Sequence, residues 1–370
     1  MGHSAVLTGL GACLPVREIS NHDLARTLDT SDEWIRTRTG ITARRWVDPP
    51  TSTGDLALGA AEAALRSAHD GNSTPPPDTV LLATTTPDRR CPATAPEVAS
   101  RLGLTGAAAF DLGAVCSGFV YALATAAGLI SAGISSTVLV IGAETYSTII
   151  DRTDRGTAVI FGDGAGAALL RAGEPGEPGA LLAFDLGSDG AHGDFIAIGA
   201  GGSRHPHPQG AGELPLRAHF LDVRGPEVYA HAVRRMTASA QHVLDLLHWA
   251  PDAVTFTAHQ ANQRILDAVA DRLGIAADRR VSNIARVGNT AGASIPLALA
   301  DAATLPGSPL TPGARLLLTA FGGGLTWGSC ALTWPAITPV MTTCTSTPTP
   351  TSTQDKAKTV SDNSERNNHE

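Results

Sequence analysis

Cys116 is the residue whose type and position best suit nucleophilic chemistry in this chain. It lies between the apolar run Ala108-Ala-Phe-Asp-Leu and the run Ser-Gly-Phe-Val-Tyr-Ala-Leu, where a predicted helix begins. At such a position the helix dipole and the free N–H groups favour a thiolate, so we expect a lowered thiol pKa. A thiolate attacks thioesters readily, and acyl transfer between two thiols is nearly thermoneutral. The alternative is a buried structural cysteine, the commoner fate of an isolated Cys.

The second half of the chain supplies polar partners for such a nucleophile. His259-Gln-Ala-Asn follows a predicted strand, and Asn289 lies in a tight turn before a helix. Strand ends of this kind commonly present functional groups, and both side chains can donate to a carbonyl oxygen. Gly322-Gly-Gly-Leu-Thr-Trp-Gly lets a backbone N–H approach a ligand as an oxyanion donor. The alternatives are a structural histidine, a capping asparagine and a glycine-rich hairpin.

Composition excludes several other classes of protein. The chain has 370 residues, a net charge of −8 and 43% hydrophobic residues, which is too apolar for a disordered protein. The acidic balance argues against a nucleic-acid binder, and no apolar run approaches the roughly 18–20 residues of a membrane span. The N-terminal residues do not resemble a signal peptide. Five widely spaced cysteines predict reduced thiols in a cytoplasmic protein.

The elements that must position these residues alternate between strands and Ala-rich helices, which predicts an α/β fold with mixed sheets. Strands are predicted at Val80–Thr84, Val138–Gly142, Val159–Phe161, Ala165–Leu170 and Ala253–Thr257. Helices are predicted at Leu56–Ala68, Ala95–Leu102, Cys116–Ala132, Pro226–Leu247 and Ala261–Leu273.

The sequence also repeats itself. Pro77-Asp-Thr-Val resembles Pro251-Asp-Ala-Val, 174 residues further on, and Arg101-Leu-Gly recurs as Arg272-Leu-Gly after 171 residues. We therefore predict two similar halves, residues 1–175 with the nucleophile and 180–335 with the histidine and asparagine. Residues 336–370 are rich in Thr, Ser, Pro and charge, so we expect a disordered tail in which Cys344 is inert.

These residues resemble the β-ketoacyl-[acyl-carrier-protein] synthase III family, the initiating condensing enzymes of the thiolase superfamily. The resemblance spans residues 5–334. Its motifs are Thr30-Ser-Asp-Glu-Trp-Ile-Arg-Thr-Arg-Thr-Gly-Ile, Cys116-Ser-Gly-Phe-Val-Tyr-Ala-Leu, Thr153-Asp-Arg-Gly-Thr, Phe161-Gly-Asp-Gly-Ala-Gly-Ala, His259-Gln-Ala-Asn, Gly288-Asn-Thr and Phe321-Gly-Gly-Gly-Leu-Thr-Trp-Gly-Ser. It implies a duplicated αβαβα thiolase-like fold with two mixed sheets, and a homodimer.

The resemblance further implies a ping-pong condensation in which acyl-CoA acylates Cys116 and malonyl-acyl carrier protein is then decarboxylated. The backbone N–H groups of Cys116 and Gly323 would hold the oxyanion, and His259 and Asn289 the malonyl thioester carbonyl. No metal and no redox cofactor is needed. The implied CoA contacts are Thr30, Trp34, Arg38 and Arg155, with the adenine between Trp34 and Arg155.

Two further sets of residues are implied by the resemblance. Carrier-protein docking is expected at Arg264, Arg272, Arg234 and Arg235, where Asp271 weakens the basic patch. The acyl pocket is expected to include Cys91, Phe161 and Phe195, the last as part of the Phe195-Ile196 segment that narrows the tunnel. Since Cys91 occupies a position often held by a large aromatic residue that closes the partner's acyl tunnel, we expect a branched or medium-length starter.

Two other functions remain open at this point. One is transfer of the acyl group to a small-molecule hydroxyl or amine, and the other is a non-catalytic partner subunit. The pathway, fatty-acid or polyketide synthesis, is also open.

Two motifs that superficially resemble binding sites are interpreted differently. We interpret Gly162-Asp-Gly-Ala-Gly as a close-packed turn rather than a dinucleotide loop, and the His205/His207 pair as part of a solvated loop rather than a metal site.

Overall fold

The computed structural model describes residues 3–68, 74–206 and 214–344, and most strands belong to two large sheets. The strands are β1 (Ser4–Pro15), β2 (Glu18–Ser20), β3 (Ala43–Arg45), β4 (Thr79–Ala83), β5 (Ala108–Leu112), β6 (Thr137–Thr145), β7 (Asp163–Gly173), β8 (Leu181–Ser188), β9 (Ile196–Ala197), β10 (Asp222–Val223), β11 (Val254–Ala258), β12 (Arg280–Val281), β13 (Arg315–Gly322), β14 (Thr326–Thr333) and β15 (Val340–Cys344). The helices are α1 (Asn21–Ala25), α2 (Asp32–Thr39), α3 (Thr53–Ala68), α4 (Ala95–Arg101), α5 (Gly118–Ser131), α6 (Gly225–Leu247), α7 (Gln263–Leu273), α8 (Ile284–Val287) and α9 (Ser294–Ala303).

The two sheets repeat the same topology. The first has the order β15-β1-β7-β6-β4-β5 and the second β12-β11-β13-β14-β8. Without β15, each strand of the first sheet corresponds to the strand seven places later in the second. The parallel pairs β4–β5 and β4–β6 match β11–β12 and β11–β13, and the antiparallel pairs match as well. This agreement confirms the predicted duplicated fold.

The helices form three layers around the sheets. Helix α3 packs on the outer face of the first sheet and α6 on the outer face of the second, while α5 and α9 contact strands of both sheets. The resulting order is αβαβα. Close packing of α3 on β1 depends on Gly11, because a Cβ there would lie 2.1 Å from the backbone nitrogen of Ala64. Ala-rich helices suit such a layer because small side chains let backbones approach and Ala favours helix.

The central helices bring the two halves together at the site. Buried residues of α5 and α9, including Phe119, Leu123, Ile295 and Leu299, share one apolar cluster with strands of both sheets. Each helix follows a short 3₁₀ turn, at residues 115–117 before α5 and 291–293 before α9. The predicted single helix Cys116–Ala132 is therefore wrong at its start, because Cys116 lies in the turn and α5 begins at Gly118.

The predicted strand Val159–Phe161 is also wrong. This segment forms turns in which Ile160 N–H donates to the Thr157 carbonyl. Phe161 contributes one isolated bridge to Asn289, which ties the two halves together. Val and Ile favour strands in general, but here tertiary contacts with the second half decide the conformation.

The expectation of a disordered tail from residue 336 is wrong for its first part. Residues Val340–Cys344 form β15, parallel to β1, and Cys344 forms a disulfide with Cys13. The predictions that Cys344 is inert and that all thiols are reduced are therefore wrong for this pair. Residues 345–370 lie outside the described residues. Among the described helices, none is both long and apolar enough to cross a lipid bilayer.

Candidate active site

A cavity of about 580 Å³ lies where the two halves meet, and Cys116, His259 and Asn289 all line it. Cys116 and His259 each follow a strand and precede a helix, whereas Asn289 lies between α8 and the 3₁₀ turn before α9. The central layer brings these junctions together. The remaining wall is largely apolar and includes Phe161, Ile196, Val228, Met236 and Phe321. A mostly apolar cavity with a few convergent polar groups is typical of a ligand site.

Cys116 is held close to the backbone of the glycine-rich segment. It follows Val115, whose φ of +48° is in the left-handed region, and its side chain is buried. A Cβ on Gly322 would lie 2.7 Å from the Cys116 nitrogen, so only glycine fits beside this turn. Burial raises the pKa of the Cys116 thiol to about 12, and the negative charge of Glu144 adds to the effect. The expectation of a lowered thiol pKa is thus wrong, because desolvation outweighs the helix start.

His259 is a neutral, fixed donor. It is the first residue after β11, is buried, and its Nδ1 lies 2.7 Å from the Ser294 hydroxyl of α9. Burial lowers the pKa of His259 to about 3, and a hydrogen bond to the backbone of Ala291 offsets this only in part. The ring is therefore uncharged at neutral pH and can donate an N–H to a carbonyl oxygen without adding a formal charge.

Asn289 is fixed by its backbone and by its side-chain oxygen. Its N–H donates to the Ile160 carbonyl at 2.9 Å, and its carbonyl accepts from Gly162 N–H at 2.9 Å. Asn289 Oδ1 accepts from Ala291 N–H at 2.9 Å, which sets the orientation of the amide. Asn289 Nδ2 has only a long 3.5 Å contact with the Ala261 carbonyl, so an N–H of this amide can serve a ligand.

The backbone of the glycine-rich segment lies close to neighbouring backbone atoms at Gly322 and Gly323. A Cβ on Gly323 would lie 3.1 Å from the Ile196 carbonyl. With Gly322 against Cys116, both glycines bring backbone to places that a side chain would block. The role of Gly323 as a donor stays a prediction.

The predicted CoA residues lie together on one surface. The Arg38 guanidinium lies 4.4 Å from the centroid of the Trp34 ring and the Arg155 guanidinium 5.0 Å from it. Arg155 also donates to the Asp29 carbonyl at 2.8 Å, beside the half-buried Thr30. An adenine between Trp34 and Arg155 needs about 7 Å, two stacking distances, so this pair must open to bind it. Their role in binding CoA stays a prediction.

The predicted docking arginines separate into two groups. Arg264 lines the cavity at its mouth and is exposed, and Arg272 and Arg234 are exposed as well. Arg235 is different, because it pairs with Asp189 at 3.2 Å and stacks over Trp327 at 4.4 Å. The docking role of all four arginines stays a prediction, and Arg235 suits it least because its charge is already paired and its guanidinium is half-buried.

The predicted acyl-pocket residues differ as well. Phe161 lines the cavity, whereas Phe195 is absent from its wall and packs against His192, His231 and Arg224. Within the predicted Phe195-Ile196 segment, Ile196 rather than Phe195 lines the cavity. Cys91 is exposed and lies outside the cavity of its own chain.

Two signals discounted from the sequence have clear structural explanations. Gly164 and Gly166 belong to the start of β7, where a Cβ on Gly166 would lie 2.6 Å from the Pro296 side chain, so these glycines are close-packed. His207 lies outside the described residues. Asp189, His192 and His231 bring three potential ligand atoms within 4.8 Å of one another, but the Arg235 guanidinium already neutralises Asp189.

Sequence reasoning missed two buried polar residues beside the nucleophile. Glu144 is the penultimate residue of β6, and Tyr146 follows that strand and lines the cavity. Burial raises the pKa of Glu144 to about 8, although Thr85 and Thr86 donate hydrogen bonds to it. Their position at a strand end, as for His259, was the available signal.

Comparison with known proteins agrees with this geometry. Residues 110–190 match the model of the 3-oxoacyl-[acyl-carrier-protein] synthase III family, and residues 244–334 match the model of its C-terminal part. The chain is 57% identical over 342 residues to β-ketoacyl-[acyl-carrier-protein] synthase III 3 of Streptomyces coelicolor, which covers 92% of this chain and 100% of that protein.

Two solved structures show the same fold. The crystal structure of 3-oxoacyl-(acyl carrier protein) synthase III from Pseudomonas aeruginosa PAO1 is 49% identical, with a TM-score of 0.82, covering 91% of this chain and 100% of that one. The priming β-ketosynthase from the R1128 polyketide biosynthetic pathway is 31% identical with a TM-score of 0.82, covering 91% and 98%. The chain therefore belongs to the β-ketoacyl-[acyl-carrier-protein] synthase III family, acyltransferases that carry out the initiating condensation in fatty-acid or polyketide synthesis.

Proposed function

We propose that this chain condenses an acyl-CoA starter with malonyl-acyl carrier protein by a ping-pong reaction. The observation that carries the proposal is the convergence of Cys116, His259 and Asn289 on one cavity between the halves. One thiol and two neutral donors are the groups that such a reaction needs, and the chemistry requires no metal and no redox cofactor.

In the first half-reaction the Cys116 thiolate attacks the thioester carbonyl of acyl-CoA. A carbon–sulfur bond forms to Cys116 and the bond to the CoA sulfur breaks, while the CoA thiolate takes up the proton that Cys116 lost. The tetrahedral oxyanion is held by the backbone N–H groups of Cys116 and Gly323. The close approach of Gly322 to the Cys116 nitrogen supports this assignment.

In the second half-reaction His259 and Asn289 donate to the thioester carbonyl of the malonyl group. When CO₂ leaves, the electrons of the broken carbon–carbon bond form an enolate on that oxygen, and the two donors stabilise its charge. The enolate carbon attacks the acyl-cysteine, and the Cys116 thiolate leaves. A neutral His259 suits this role, because it donates without itself needing to be charged.

The substrates reach the cavity from the face that carries the arginines. We assign CoA to Thr30, Trp34, Arg38 and Arg155, and the acidic carrier protein to Arg264, Arg272 and Arg234. Support comes from the position of Arg38 and Arg264 at the mouth of the cavity. All the cationic side chains assigned here are arginines, and the planar guanidinium group suits both stacking and phosphate contacts.

We also propose a homodimer that assembles along β5. This strand ends the first sheet within the described residues, and its Phe110 side chain is 40% exposed. An open apolar strand edge is a template for pairing with a second copy.

We also place the reaction in the cytoplasm, because acyl-CoA and carrier-protein thioesters are cytoplasmic substrates. The Cys13–Cys344 disulfide does not support this location, since disulfides are uncommon in cytoplasmic proteins.

CO₂ release tests this function. The chain incubated with an acyl-CoA and malonyl-carrier protein should release one CO₂ for each 3-oxoacyl-carrier protein formed. Acyl transfer to a hydroxyl or amine without loss of CO₂ would instead identify the alternative acyltransferase, and the absence of both products would indicate a non-catalytic subunit.

A further inference from the structure

Tyr146 places a phenol in the cavity that the proposed reaction does not use. Its ring stacks on Phe161 with a centroid separation of 4.9 Å, and the residue is 1% exposed. Its hydroxyl is buried and forms no hydrogen bond of ordinary geometry within the described part of the chain. A buried hydroxyl without a partner costs free energy that phenylalanine would not, so packing does not explain the tyrosine.

The nearest charges to this hydroxyl belong to the nucleophile and to one carboxyl. Burial raises the pKa of Tyr146 well above its ordinary value, and the Cys116 thiol and the Glu144 carboxyl add to that effect. Thr85 in turn donates to Glu144 through its N–H at 3.0 Å and through its hydroxyl at 3.3 Å. Cys116 and Tyr146 line the same cavity and belong to the same apolar cluster, and Glu144 lies two residues before Tyr146.

Titratable and charged groups approach this part of the cavity from three places. Glu144 lies behind Thr85 on β6, and His259 faces the same cavity from the end of β11. Arg38 and Arg264 line the outer part of the cavity. Burial keeps His259 neutral, and the Tyr146 hydroxyl is an uncharged donor on the same cavity that has no ordinary hydrogen bond to lose.

We infer that the Tyr146 hydroxyl donates a hydrogen bond to the Cys116 sulfur as that sulfur becomes a thiolate, which makes Tyr146 a further catalytic residue of the acylation step. A thiol sulfur is a weak acceptor, whereas an anionic sulfur is a strong one. The interaction is therefore stronger in the reactive state than in the resting state, which is the condition for catalysis. It also offsets the burial that raises the pKa of Cys116.

The step is balanced without any further reagent. Cys116 loses its proton, its sulfur electron pair forms the bond to the acyl carbon, and the CoA sulfur leaves and takes up one proton. Tyr146 keeps its own proton throughout. This inference rests on the proposed role of Cys116 as the nucleophile, so its test must report on the thiol without requiring condensation.

Alkylation of Cys116 by iodoacetamide across a range of pH provides that test, with Cys116 modification followed by peptide mass spectrometry. In Tyr146→Phe the apparent pKa should rise by about one unit, and the rate at pH 7.5 should fall about tenfold. Tyr121→Phe is the matched control, because the Tyr121 hydroxyl donates to the Gly187 carbonyl at 2.8 Å, outside the cavity lining. Its alkylation profile should equal that of the unmodified chain.

Thermal unfolding separates this role from a structural one. Because Phe fills the same volume without an unpaired hydroxyl, Tyr146→Phe should be at least as stable as the unmodified chain. An unchanged alkylation profile, or a slower reaction that accompanies lower stability, would overturn the inference. So would a variant whose only change is its choice of acyl-CoA, since the hydroxyl would then act on the substrate. A normal alkylation profile in a chain that fails to condense would instead count against the proposed function.

Discussion

The two 3₁₀ turns that precede the central helices have the same backbone but different residues. The first residue of each has a left-handed φ, +48° at Val115 and +45° at Ala291. The residue that follows is Cys116 in the first half and Gly292 in the second. Left-handed non-glycine residues cost about 1–3 kcal/mol and persist where the surrounding structure requires them, often at functional sites.

The difference between these turns explains how a duplicated fold divides one reaction. In the first half the turn presents a thiol to the cavity. In the second half a Cβ on Gly292 would lie 3.2 Å from Glu144 Oε1 and 3.3 Å from the Val115 carbonyl, so glycine lets the two turns pack together. The second half instead contributes donors from neighbouring positions, Asn289 before its turn and His259 after β11. The shared backbone fixes the geometry, and the side chains decide the role.

Replacing Cys116, the residue that distinguishes the first turn from the second, should have the largest effect on activity. Cys116→Ala removes the nucleophile, so no acyl-enzyme should form with any acyl-CoA. Intact-protein mass spectrometry after incubation with acyl-CoA should show an unmodified mass. The exposed Cys91 serves as the control, because Cys91→Ala should still be acylated. An acyl adduct on the Cys116→Ala chain would show that the nucleophile is another residue, outside the first turn.

Removing a donor from the second half should separate the two half-reactions. In Asn289→Ala, acylation of Cys116 should remain near its normal rate, while condensation falls about 10²–10³-fold, as for loss of one oxyanion donor. Acylation is measured from the release of CoA and condensation from the 3-oxoacyl product. Equal losses in both measurements would show that the halves do not divide the reaction as described.

A smaller effect is expected at Cys91, which lies outside both turns. If Cys91 closes the acyl tunnel of a partner subunit, its small side chain leaves room for two further carbons. At about 0.8 kcal/mol for each buried methylene, this favours a longer starter by about tenfold. Competition between acetyl-, isobutyryl- and hexanoyl-CoA measures the preference. Cys91→Phe should move it towards acetyl-CoA, and a clear acetyl preference in the unmodified chain would contradict the expectation.

The smallest effect on Cys116 reactivity is expected at Glu144, a buried carboxyl beside Gly292 of the second turn. Its pKa is raised by burial to about 8, so it is largely protonated at pH 7 and ionises above pH 8. An ionised Glu144 opposes the Cys116 thiolate, whereas glutamine cannot ionise. Alkylation of Glu144→Gln should match that of the unmodified chain at pH 7 and exceed it a few-fold at pH 9. Identical alkylation rates of the two chains at both pH values would show that the charge of Glu144 does not affect the Cys116 thiolate.

Ionisation of the Glu144 carboxyl should lower the free energy of unfolding as the pH rises. Because the pKa of Glu144 is higher in the folded chain than its ordinary value of 4.5, its contribution is greatest below that value. The contribution is lost as the pH rises through about 8. Urea unfolding at pH 6 and pH 9 should therefore show a smaller loss of stability with pH in Glu144→Gln than in the unmodified chain.

The sequence predicted the residues whose local context defines their position. Cys116 and His259 each follow a strand and precede a helix, and Asn289 lies in a turn that leads into a helix. The alternation of elements was therefore enough to place all three before helices. The offset between the halves likewise predicted the repeated sheets. The pKa of Cys116 could not be predicted from that context, because it depends on how deeply the cavity buries the thiol.

The residues that were wrong or missed depend on long-range packing. Whether Phe195 or Ile196 faces the cavity depends on how Phe195 packs against His192 and His231. Cys13 and Cys344 are 331 residues apart, so no local pattern relates them. Tyr146 and Glu144 were missed because an isolated polar residue at a strand end is a weak signal without its neighbours.

The central claim is that the first half carries the acyl group and the second half drives its condensation. Peptide mass spectrometry after successive additions tests it most directly. With acyl-CoA alone, the peptide that contains Cys116 should gain the mass of one acyl group. Addition of malonyl-carrier protein should then remove that mass and release one CO₂ for each acyl group lost. An adduct on any other residue, or its discharge without CO₂, would contradict the account.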